Sequence, residues 1–131
     1  MRKLGLRSAV LGVLLTAFFL AGLNPSAEAE VDFQCKIPPY GYGDCTGDHF
    51  SVPKGYYVRV KNVSSGGKTV WFRARNVDGD HLLGQSQDAK PGDKVFVWRN
   101  DTGRTINIQF EAEASGTVNT VCNARAYITR N

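Results

Sequence analysis

The residues of this chain best suited to covalent chemistry are three cysteines, Cys35, Cys45 and Cys122, and two histidines that each follow an aspartate, Asp48-His49 and Asp80-His81. Three thiols allow a single internal disulfide, and the sulfur left over must stay buried, react, or pair with another molecule. Cys45 and His49 have the types of a nucleophile and its base, but disulfide use of Cys45 is the stronger expectation. Neither Asp-His pair suits acid–base work, because adjacent side chains on an extended strand point to opposite faces. The chain contains no Gly-x-Ser-x-Gly turn and no metal-type histidine pair, and no spacing pairs its carboxylates. Asn76-Val77-Asp78-Gly79-Asp80 alternates oxygen ligands like the opening of a calcium loop, yet it lacks the glycine expected at the sixth position and carries Gln87 where the bidentate glutamate belongs. Non-catalytic function without metal or cofactor is the expectation.

The first thirty residues point to export. Arg2, Lys3 and Arg7 precede an apolar run from Ala9 to Leu23, and Ala27-Glu28-Ala29 supplies small residues for cleavage after Ala29. The run is short for a retained anchor, which wants about 20 apolar residues. The expected organisation is a signal peptide over 1–29, an N-terminal strand and Pro/Gly/Tyr tether over 30–44, and a single domain over 45–131, secreted without a stable membrane anchor. Losing Arg2, Lys3, Arg7 and Glu28 with the leader reduces the 16 basic and 12 acidic residues, so half of the net +4 does not belong to the mature domain. Nucleic acid is excluded as a partner on that ground.

The remainder reads as short strands separated by turn residues, with no helical periodicity. Residues 56–63 and 69–75 flank Ser64-Ser65-Gly66-Gly67 and suggest a hairpin, Asp78-Gly79 suggests a two-residue turn, and strands follow over 94–100, 104–114 and 117–130. The fold class expected is all-β, a small antiparallel β-sandwich of about six to eight strands. In the strand from Thr105, Ile106, Ile108, Phe110, Ala112 and Ala114 share the core side. The last strand turns Cys122, Ala124, Ala126 and Ile128 inward, which makes Cys122 the candidate for one end of the bridge, with Cys45 as its partner or Cys35 as the alternative.

Val31-Asp32-Phe33-Gln34-Cys35-Lys36-Ile37 alternates along its length, with Val31, Phe33, Cys35 and Ile37 on one side. A strand at a free end, tethered by Pro38-Pro39-Tyr40-Gly41-Tyr42-Gly43, either completes its own sheet or is added to the sheet of a partner. Opposite the core side of the expected hairpin, Tyr57, Arg59 and Lys61 meet Trp71, Arg73 and Arg75, with Arg125 and Tyr127 extending the patch. Such an aromatic and basic surface is either cation–π cover or a contact face rich in hot-spot residue types.

Three functions compete. The first is an interaction subunit or adaptor of an extracellular multi-protein assembly, docking on other secreted proteins by its N-terminal strand and its aromatic face. The second is a carbohydrate-binding module that stacks glycans on Trp71, Tyr57 and Tyr127. The third is a small inhibitor of an extracellular hydrolase that presents the Pro38–Gly43 loop. The general plan resembles small exported sandwich proteins of Gram-positive bacteria, including adaptor subunits of secreted toxin particles, a likeness of architecture alone. Asn62-Val63-Ser64 and Asn100-Asp101-Thr102 match glycosylation sequons.

Overall fold

Alternating inward and outward residues along most of the long strands build a two-layer β-sandwich. The computed structural model describes residues 28–46 and 49–130, so the expected signal segment up to residue 27 and Asp48 lie outside the described residues. The strands are β1 (Ala29–Ile37), β2 (Gly43–Asp44), β3 (Phe50–Val52), β4 (Tyr57–Ser64), β5 (Val70–Asn76), β6 (His81–Ala89), β7 (Lys94–Arg99), β8 (Ile106–Ala114) and β9 (Thr120–Thr129). One sheet, A, has the order β1-β9-β4-β7; the other, B, has β2-β8-β5-β6, with β3 also paired to β8. All pairings are antiparallel. No helix among the described residues is long and apolar enough to cross a membrane.

The inner faces pack four phenylalanines into one cluster. Phe33 of β1 stacks on Phe110 of β8 with ring centroids 4.8 Å apart, and meets Phe50 and Phe72 edge-on at 5.9 and 6.4 Å. Val58, Val60, Val70, Ile108 and Ala126 close around them without solvent exposure. Burying aromatic groups of this size is the dominant favourable term for so small a domain.

The connection from β4 to β5 corrects the expected hairpin. β4 lies in sheet A between β9 and β7, whereas β5 lies in sheet B, so residues 65–69 arch from one layer to the other. Ser65, itself buried, holds the arch by donating to the Lys68 carbonyl at 2.6 Å and accepting from Asn62 Nδ2 at 2.9 Å. Alternation cannot distinguish a hairpin from such an arch, because both put the same residues inward. Among the described residues only β5 and β6 form a hairpin of sequential strands, and its four-residue turn differs from the expected Asp78-Gly79 pair: Asn76 Oδ1 accepts the Asp78 and Gly79 amides at 3.0 and 3.2 Å, and Asp80 takes the positive φ of 51°.

The bridge also departs from expectation. Cys35 is joined to Cys45, and Cys122 is the free, buried cysteine. Cys35 sits between the other two in a transverse row, opposite Cys122 on β9 and opposite Cys45 at the sheet edge. Backbone bonds from Cys45 N to Phe110 O (3.1 Å) and from Thr46 N to Gln34 O (2.6 Å) hold that edge in place. A Cys45–Cys122 bridge would have to span β1, which lies between them. The Cys35–Cys122 alternative has the register for a bond, but the Cys35 sulfur is already used, and the Cys122 thiol donates to Asn62 Oδ1 at 3.6 Å on its other flank.

Candidate functional site: the outer face of sheet A

The strand expected either to fold back or to be donated is an edge strand of this protein's own sheet. β1 runs in register with β9 from Ala29 opposite Ile128 to Ile37 opposite Thr120. Phe33, Cys35 and Ile37 are buried in the core and Val31 packs against it, so the side chains proposed to give a partner-binding strand its specificity are consumed internally. The strand presents its other side, Glu30, Asp32, Gln34 and Lys36, to the outside.

The expected aromatic and basic patch divides between two faces, since β4 and β5 belong to different layers. Tyr57, Arg59, Lys61, Arg125 and Tyr127 stay together on the outside of sheet A; Trp71, Arg73 and Arg75 lie on the outside of sheet B. This removes the sugar platform that would have combined Trp71 with Tyr57 and Tyr127.

On sheet A the registers set side chains in transverse rows. Lys94, Lys61, Arg125 and Asp32 form one row; Phe96, Arg59, Tyr127 and Glu30 form the next; Arg99, Tyr57 and Thr129 form a third. The rows interlock by cation–π contact. The Lys94 ammonium lies 3.8 Å from the Tyr127 ring centre, and the guanidinium carbons of Arg59 and Arg99 each lie 5.2 Å from that of Tyr57. Each contact contributes about 0.5–1 kcal/mol when exposed. Tyr57 also meets Phe96 edge-on at 5.9 Å, and Phe96 remains 45 % exposed. Arg59 donates to Thr129 at 3.2 Å, and Arg125 donates to Asp32 at 2.7 Å. That hydrogen bond holds the Asp32 carboxyl below its ordinary value and raises Arg125.

Lys94, Lys61 and Arg125 stand side by side across three strands. Like charges directly opposite in a sheet are destabilising. Asp32 answers only Arg125, and among the described residues Lys61 has no ion-pair partner. Phe96, Lys94 and Arg99 were missed as site residues in the sequence because both sides of 94–100 carry apolar groups, which hides the outward side; only the register with β4 reveals it.

Sheet B presents a contrasting face. Glu111 accepts from Arg73 Nε at 2.8 Å and Arg75 Nε at 3.1 Å, and Arg75 also reaches Asp80 at 3.4 Å. Burial pushes the Glu111 carboxyl up, but the hydrogen bonds and charges of Arg75 and Arg73 outweigh it and leave the carboxyl below its ordinary value. Arg73 also lies 3.6 Å above the Tyr42 ring, whose hydroxyl shares a hydrogen bond with Ser86 at 2.5 Å. Trp71 sits between Asp88 and Glu113. Arg73 and Arg75 are matched here by Glu111 and Asp80, so among the described residues this face lacks a row of cations like that of sheet A.

Both sequon asparagines are interior. Asn62 Nδ2 donates to Ser65 Oγ and to the Ala89 carbonyl, and Asn100 Nδ2 donates to the Val52 and Arg104 carbonyls. They tie the interlayer connections together, and in the folded domain neither amide is exposed. Of the residues weighed for catalysis, Cys45 is bridged. Asn76 Oδ1 of the calcium-like segment is engaged by backbone amides. Comparison with protein-family models, curated proteins and solved structures finds no match to this chain.

Proposed function

We propose that this is an exported, non-catalytic interaction protein, a subunit or adaptor of an extracellular multi-protein assembly such as a secreted toxin particle, and that it docks through the outer face of sheet A on an acidic surface of another exported protein. The Lys94–Lys61–Arg125 row carries the reading: the fold holds like charges together beside an exposed Phe96, an arrangement that an acidic partner relieves. Tyr57, Tyr127, Arg59 and Phe96 supply the aromatic and guanidinium groups enriched at hot spots. The N-terminal strand takes part from within the sheet, contributing Asp32 and Glu30 as a polar rim. The signal-like N-terminus supports export, and the disulfide is compatible with it.

The test is native purification of the protein with its partners from culture medium, alongside Lys61→Glu and Trp71→Ala. An acidic exported chain that co-purifies with the wild type, weakens with salt and is lost in Lys61→Glu but kept in Trp71→Ala supports the reading. Loss in Trp71→Ala alone moves the docking site to sheet B and overturns it.

One observation favours the inhibitor reading as a second possibility. The Cys35–Cys45 bridge and the Tyr42 contacts with Arg73 and Ser86 pin the connecting loop at both ends and leave Tyr40 79 % exposed between them. A loop held in one conformation binds with less entropy loss. Inhibition of an extracellular hydrolase that disappears in Tyr40→Ala would establish it.

A further inference from the structure

The transverse row Cys122–Cys35–Cys45 places a free thiol and a disulfide side by side in the interior. All three residues are buried. Directly opposed residues on antiparallel strands have Cβ atoms about 4.5–5.5 Å apart, close to the separation a disulfide needs. Cys35 therefore has a possible bonding partner on each flank. We propose that the three cysteines form a disulfide relay, in which Cys122 displaces Cys45 from Cys35 and moves the bridge from the sheet edge to the β1–β9 pair.

The step balances within the molecule. The Cys122 thiolate attacks Cys35 Sγ, the Cys122–Cys35 bond forms and the Cys35–Cys45 bond breaks. The electron pair leaves on Cys45, which takes up the proton given up by Cys122. One disulfide and one thiol are present before and after, so no outside oxidant or reductant enters. The register puts the leaving residue, Cys45, on the flank of Cys35 opposite to the attacking one, and attack within one molecule gains from proximity.

Asn62 keeps the relay at rest. Its Oδ1 accepts from the Cys122 thiol on the β4 flank, so the sulfur must rotate away from β4 towards β1 before it attacks. The outcome changes what the molecule displays. The free thiol passes from β9, an inner strand of sheet A, to residue 45 beside the exposed Thr46, and the loop carrying Tyr40 loses its covalent closure. β1 becomes covalently joined to the strand it already pairs with. The relay is independent of the docking face and stands or falls apart from it.

The experiment incubates the oxidised wild-type protein at pH 9 without added thiol, quenches samples in acid, unfolds them, and labels free thiols with N-ethylmaleimide at mildly acidic pH before peptide mapping. The expected result is label that starts on Cys122 and appears on Cys45 with time, at a rate independent of protein concentration. In parallel, Cys45→Ser exposed to oxidised glutathione is expected to form a Cys35–Cys122 bridge, with its β-sheet content checked by circular dichroism. Label confined to Cys122 at every time point overturns the relay whatever the variant does. A rate that rises with protein concentration overturns it equally, by showing exchange between molecules.

Discussion

Phe33 lies face to face on Phe110, with ring centroids 4.8 Å apart and planes inclined by 12°, and this contact commits the first strand to its own domain. Phe33→Ala is expected to lower stability by about 3–5 kcal/mol, the range for a buried aromatic reduced to alanine. Urea unfolding followed by tryptophan fluorescence measures it. A loss below about 1 kcal/mol would mean that β1 is loosely held and free to be donated.

Glu111 links Arg73 and Arg75 on the outside of sheet B, and its charge matters for stability. Glu111→Gln is expected to cost about 1.5–3 kcal/mol at pH 7, the range for hydrogen bonds to charged groups. The folded carboxyl lies below its ordinary 4.5. Its contribution is therefore present above pH 4.5 and is lost as the pH falls through the lower folded value. Unfolding curves of wild type and variant should converge in acid; a gap that widens there would contradict the assignment.

Neutralising the cation row should stabilise the fold while weakening docking. Lys61→Gln is expected to raise stability by about 0.2–1 kcal/mol at low ionic strength, with the gain fading in 1 M salt. Thermal melts at two salt concentrations read this. Lower stability at both would show that Lys61 is a structural residue.

Burial pushes the Cys122 thiol up to about 12. Ellman's reagent is expected to find no reactive thiol in the native protein at pH 8 and one per chain in denaturant. Prompt reaction in the native state that maps to Cys122 would show that β9 opens readily.

Oligosaccharyl transfer in vitro to the folded protein should leave Asn62 and Asn100 unglycosylated, because both amides are interior and hydrogen-bonded. Intact-mass spectrometry checks this. Asn100→Ala is expected to cost about 1–3 kcal/mol by leaving the Val52 and Arg104 carbonyls without their donor.

Much of the sandwich was legible because alternation is a local property. Val70, Phe72 and Ala74 inward, Trp71, Arg73 and Arg75 outward, and the inward set around Phe110 follow from a two-residue period and the need to bury apolar groups. β2 and β3 were not legible, being too short to show a period. The sequons were misleading for a related reason: three residues specify a motif, whereas burial of Asn62 depends on the arch that turns Ser65 back on it and on Ala89 and Cys122 arriving from other strands.

By itself the sequence determined the fold class, the inward and outward sides of β1, β4, β5, β8 and β9, and the fact that one of three cysteines must be left over. Only the tertiary structure decided which strands are neighbours. That choice rests on long-range pairing, which local periodicity does not encode. The arch from β4 to β5 separates Trp71 from Tyr57, the β7 register brings Phe96 and Lys94 beside Arg59 and Lys61, and the docking of β1 between Cys45 and Cys122 leaves Cys122 without a bond.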